Sequence, residues 1–154
     1  MVLKILKRLL LGSPAVRIEH PVLGKALLVK TKAGSYWEAD TRVEGKAFSL
    51  FINTRDAEPP SITQLEFSQR FARDPDYAFA FARPLLVAEY EKWMREPFPS
   101  NWREAFEFVG LTVPLDGDER QPWDIAFDCL RDRDGHMFSC YIEDGKPSYV
   151  TIDG

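Results

Sequence analysis

Apolar and polar residues alternate through three strand-length stretches, Leu23 to Thr31, Ser35 to Val43 and Lys46 to Asn53, each separated by a glycine-containing turn. That is the pattern of an antiparallel meander. A two-residue turn at Glu44-Gly45 sets Trp37 opposite Ile52, Ala39 opposite Leu50 and Thr41 opposite Phe48. The other face then carries Glu38, Asp40 and Arg42 against Ala47 and Ser49, so one face is expected to be dry and the other wet. In the hairpin before it, a three-residue turn with Gly34 in the left-handed region puts Val29 opposite Trp37 and Leu27 opposite Ala39.

The period then changes. Pro59-Pro60 precedes Ser61, and Gln64 stands at the third helical position, a capping-box pattern that predicts a helix from Ile62 to about Arg73. Asp74 can cap a second helix with Pro75 in its first turn. Pro84 falls inside that helix, where a missing N–H and a ring clash predict a kink or break. Leu86, Val87, Tyr90, Trp93 and Met94 make an apolar stripe beyond it, with Glu89, Glu91, Lys92, Arg95 and Glu96 elsewhere. A helix so patterned packs on a sheet. Phe79 and Phe81 cannot share a helix face, which leaves one of them to meet a partner. Ser100 is expected to cap a short helical turn through Ala105 to Phe108, and Leu111 to Leu115 to form another strand.

Alternation returns at the end. Trp123, Ile125, Phe127 and Cys129 share one face, with Asp124 and Asp128 on the other. A two-residue turn at Asp134-Gly135 would oppose Cys129 to Cys140 and Phe127 to Ile142. A three-residue loop from Glu143 to Gly145 would oppose Phe138 to Val150. The whole reads as one α+β domain over residues 15–154. It has an N-terminal antiparallel meander, a central helical pair with a Pro84 kink, and a C-terminal antiparallel meander around one shared core.

Composition narrows the function classes. At 154 residues, 45% hydrophobic and 29% charged, the chain has the size and mix of one folded domain. Its net charge of −4 comes from interleaved acids and bases, so no nucleic-acid partner is expected. No apolar run approaches the roughly 20 residues that cross a bilayer. Residues 1–14 stand apart as a basic amphipathic segment. As a helix they place Leu3, Leu6 and Leu10 on one side and Lys4, Lys7 and Arg8 elsewhere. Lys7 and Arg8 interrupt the apolar stretch that a secretory signal needs. The segment is expected to dock on its own domain or a second subunit, with a peripheral membrane anchor through residues 1–11 as the alternative. The expected compartment is the cytoplasm, where Cys129 and Cys140 remain buried free thiols.

Asp132, Asp134 and His136 form the most suggestive polar cluster, because carboxylates and an imidazole can ligate a metal or exchange protons. Against a calcium loop, Leu130 occupies the place of the first acidic ligand and Tyr141 that of the bidentate glutamate. The competing reading is a hairpin turn with solvated charges. A Cys/His pair built from His20 and a core thiol would carry a poor nucleophile. The chain has no G-x-S-x-G, G-x-G-x-x-G or G-x-x-x-x-G-K-[ST] pattern. No catalytic residue and no cofactor is therefore assigned. The aromatics Tyr77, Phe79, Phe81, Tyr90, Trp93, Phe98 and Trp102 are read as core packing, with an apolar groove as the functional alternative.

His20-Pro21-Val22-Leu23-Gly24-Lys25, then Tyr36-Trp37-Glu38, Asp134-Gly135-His136 and the terminal Ile152-Asp153-Gly154 resemble a group of small bacterial domains of unknown function. The resemblance runs from His20 onward. It implies an α+β fold and, from related-looking bacterial proteins, an immunity or accessory role beside a toxin system. The expectation is a non-catalytic domain that binds another protein. A metal-binding protein or hydrolase using Asp132, Asp134 and His136 is the alternative.

Overall fold

The computed structural model describes residues 16–154. The amphipathic segment expected over residues 1–14 lies outside them. The elements run β1 (Arg17–His20), β2 (Gly24–Thr31), β3 (Gly34–Val43), β4 (Lys46–Thr54), α1 (Ile62–Ala72), α2 (Pro75–Met94), β5 (Phe106–Val113), β6 (Trp123–Cys129), β7 (Met137–Glu143) and β8 (Lys146–Asp153). All eight strands join one sheet in sequence order, so the two meanders share it. Every joint is antiparallel except β4–β5, which is parallel and bridged by the helices. The architecture is α+β, as the patterning predicts.

The β3–β4 register matches expectation, with Trp37 beside Ile52, Ala39 beside Leu50 and Thr41 beside Phe48. Both residues of the Glu44-Gly45 turn have positive φ, 50° and 78°, the geometry that suits a two-residue hairpin. The β2–β3 hairpin differs by one residue. Leu28 faces Trp37 and Ala26 faces Ala39, because the loop is only Lys32-Ala33. Thr31 tightens it by taking the Ala33 N–H and donating to the Gly34 carbonyl. Leu27 and Val29 are thereby turned away from the helical side.

Ser61 and Gln64 complete the capping box. Gln64 does more than cap, since its Nε2 donates to the carbonyls of Asn53 (2.7 Å) and Pro114 (3.0 Å). One buried amide so ties the ends of β4 and β5 together across the parallel joint. Pro84 sits inside α2 without ending it. Ala80, four residues earlier, and Pro84 are both exposed, so the carbonyl that loses its partner faces water. β5 begins at Phe106, where a helical turn through Phe108 was expected, and the helical residues there are only Trp102–Glu104.

Both helices cover the face bearing Trp37, Leu50, Ile52, Leu111, Ile125 and Phe127, and the core lies between. Its centre is aromatic. Phe67, Phe71 and Phe81 surround Trp123, and Phe79 meets Phe106 and Phe127. Phe81, half-buried, therefore packs within the molecule on Trp123 and Phe71.

The C-terminal meander carries the larger corrections. Phe127 faces Phe138 and Ile125 faces Cys140, a shift of four from the expected pairing. The cysteines are buried, unlinked and not opposed. The hairpin loop is longer because Leu130 leaves the ladder, its N–H donating to the Ala105 carbonyl at 2.8 Å. In the last hairpin Asp144-Gly145 is a two-residue turn, and a bulge between Tyr141 and Ile142 sets Val150 beside Cys140.

Candidate functional site

The Asp132–His136 loop is held against the end of α2. Its turn closes with the Gly135 N–H on the Asp132 carbonyl (3.1 Å), and Asp132 Oδ1 accepts the Asp134 N–H at 3.0 Å. Asp132 Oδ2 receives the Trp93 indole N–H at 2.8 Å and lies 2.8 Å from His136 Nδ1. The Trp93 and His136 rings meet edge to face at 5.1 Å. Arg131 reinforces the loop through Glu96 (3.3 Å) and Glu104 (3.1 Å).

The expected polar cluster is thus assembled, with ligand-capable atoms of Asp132, Asp134 and His136 all within 4.8 Å of one another. Yet both Asp132 oxygens already accept hydrogen bonds, and the Asp132 side chain is only 9% exposed. The Trp93 indole first, with the Asp134 N–H and His136, holds its carboxyl below the usual range. A cation would have to share or displace those donors. In the form found, Asp132 brackets the loop to α2. Asp134 is exposed, and His20 lies in the distant β1 turn with its Nδ1 on the Val22 N–H.

No activated nucleophile stands beside the cluster among the described residues. Burial pushes the Cys140 thiol up to about 12, and it raises that of Cys129 as well. Burial and the hydrogen bond to Glu96 push the Tyr90 phenol up to about 12.

Next to the bracket an open groove of about 650 Å³ runs between α2 and β8, lined by Glu89, Lys92, Trp93, Arg95, Val150 and Ile152. Trp93 is 46% exposed, so although its indole N–H is bonded and its ring meets His136, nearly half of it is left to the groove. Arg95 ends α2 at φ 56°, a left-handed position where glycine is the cheaper residue. A second crevice of about 60 Å³ lies by Arg103, whose guanidinium is engaged by Glu44 and Asp76.

β8 is an edge strand. Pro147 and Lys146 blunt its beginning, but Tyr149, Val150, Thr151 and Ile152 form a β-prone run with no further strand beyond it among the described residues. The sequence reading placed Trp93 in a packing stripe and gave β8 no role. The exposure of Trp93 depends on where α2 crosses the sheet, and the edge position of β8 on the order of all eight strands.

No family model, no curated protein and no solved structure matches the chain. No helix among the described residues is long and apolar enough to cross a membrane.

Proposed function

We propose that the protein is a non-catalytic binding domain that takes an extended segment of a partner protein along β8 and into the groove beside Trp93. The observation that carries this reading is the juxtaposition of a half-exposed tryptophan with a β-prone edge strand whose outer side meets no further strand among the described residues. Edge addition supplies backbone hydrogen bonds, and a neighbouring pocket reads alternate side chains. Tryptophan supplies much of the binding energy at such surfaces. Val150 and Ile152 favour aliphatic side chains on the partner, and Arg95, with Lys92 already drawn to Glu89, favours an acidic residue among them. Arg95 in a left-handed cap supports the reading, because backbone strain gathers at binding sites.

An immunity-type inhibitor of a bacterial toxin is one form of such a domain. The free thiols fit a reducing compartment, and we take the cytoplasm as its setting.

The test is selection of displayed random peptides on the full chain, followed by calorimetry of the enriched sequence. Trp93→Ala should weaken it at least about tenfold, the loss of a moderate hot spot, while circular dichroism stays unchanged. Enriched peptides that bind Trp93→Ala as tightly as the parent chain would sink the proposal. The metal reading has the compact Asp132, Asp134 and His136 cluster in its favour. Stoichiometric zinc or manganese, lost in both Asp134→Ala and His136→Ala, would replace ours with it.

A further inference from the structure

The face of the sheet opposite the helices is built as a covered one. Across its middle runs the row Ser49, Gly110, Ala126 and Ser139, small residues side by side on β4 to β7. Leu27, Phe51, Val109 and Thr112 add to this side, and all of these side chains are less than a tenth exposed. An antiparallel sheet with one wet face carries long polar residues there instead. Thr112 Oγ1 is buried with no hydrogen-bond partner, which is the state of a hydroxyl under an apolar cover. Neither α1 nor α2 lies on this side.

The charge on this face is one-sided. Among the described residues of β3 to β6 it carries Glu38, Asp40, Glu107, Asp124 and Asp128, with Arg42 as the one base. Lys46 reaches Glu107 from the neighbouring turn. Burial, with Glu107 close by, raises the Asp128 carboxyl above its ordinary range.

We infer that this face is the docking site of the chain's own first fourteen residues, whose leucines fill the small-residue trough and whose cations meet its acids. Leu3, Leu6 and Leu10 supply the apolar stripe, and Lys4, Lys7 and Arg8 the complementary charge. The chain reaches the sheet at the right place. The Val16 carbonyl accepts the Leu28 N–H at 2.8 Å, fixing the start of the described chain at the β1 edge. An eleven-residue helix is about 16 Å long, and Gly12 to Ala15 can span about 13 Å more. Strands about 4.8 Å apart put β6 roughly 24 Å from β1. The segment is therefore long enough to carry its cations over Glu107 and Asp124. The sheet becomes the middle layer of three, with the groove at β8 left open beyond it.

The test is a nitroxide on Ile5→Cys, a position off the leucine stripe, in the full ¹⁵N-labelled chain. The native thiols are 3% and 0% exposed, so only the new one is labelled. Broadening should be strongest for amides of β4 to β6 and weaker in α1 and α2, and Leu6→Asp should abolish it. Broadening strongest in the helices, or absent altogether, overturns the inference. So does broadening of labelled chains by unlabelled spin-carrying ones, which would make the occupant a second copy. Ordering of the segment only when phosphatidylglycerol vesicles are added would make it a membrane anchor instead.

Discussion

One step along β6 separates Ala126 from Phe127, and the two residues belong to differently built halves of the molecule. Phe127 stands in a row with Phe108 and Phe138, facing the helices. Ala126 stands in the row of Ser49, Gly110 and Ser139, facing away. Large rings on one side interlock with helices that themselves bring Phe79 and Tyr90. Small side chains on the other leave room and little grip. The helical side holds the fold by its own contacts, whereas the small-residue side is shaped for something laid upon it.

The sharpest test of that contrast is truncation on the aromatic side. Phe127→Ala should cost about 3–5 kcal/mol, as for other buried rings, read as a lowered urea midpoint with unchanged slope. On the opposite side the informative change is enlargement. Ala126→Leu should cost about 1–3 kcal/mol as overpacking of a filled trough, and Leu6→Ala should recover part of it. Near-zero cost for Ala126→Leu would show that nothing covers that face.

Two aspartates give smaller effects of opposite sign. Asp132, on the helical side, is held low by the Trp93 indole. Its contribution is present above the ordinary carboxylate range near 3.8 and is lost as pH falls through its lowered value. Asp132→Asn should cost about 1 kcal/mol at neutral pH, and the deficit should shrink in acid. Asp128, on the other face, is raised by burial. Its favourable contribution is complete below 3.8 and is lost as pH rises through the raised value. Asp128→Asn should therefore be the more stable form at neutral pH, with the gain vanishing in acid. Chemical denaturation of both variants from pH 7 down to the carboxylate range reads the two slopes, and parallel slopes would contradict the assignment.

What could be read in the chain beforehand was local. The Glu44-Gly45 turn and the alternation around it gave the β3–β4 register, and Ser61 with Gln64 gave the start of α1. The Asp134-Gly135 dipeptide offered an equally good short turn and was misleading. There the outcome depends on the Ala105 carbonyl and the Trp93 indole, 25 and 39 residues away from their partners Leu130 and Asp132. The polar cluster was visible as residue types, but not the hydrogen bonds that occupy Asp132. β1 escaped notice because four residues with alternating charge carry almost no hydrophobic period. The parallel joint escaped for a different reason, since no turn chemistry encodes it.

That joint also governs how the chain finds its shape. Six of the seven strand contacts close over short loops, while β4 and β5 must meet across the whole stretch between Thr54 and Phe106. Closing a loop of that length costs about 2–3 kcal/mol more entropy than closing a two-residue turn. The two meanders should consequently gain structure early, each by itself, with their union as the late event. Gln64 bonds one carbonyl from each side of the join, so its substitution should speed unfolding far more than it slows folding.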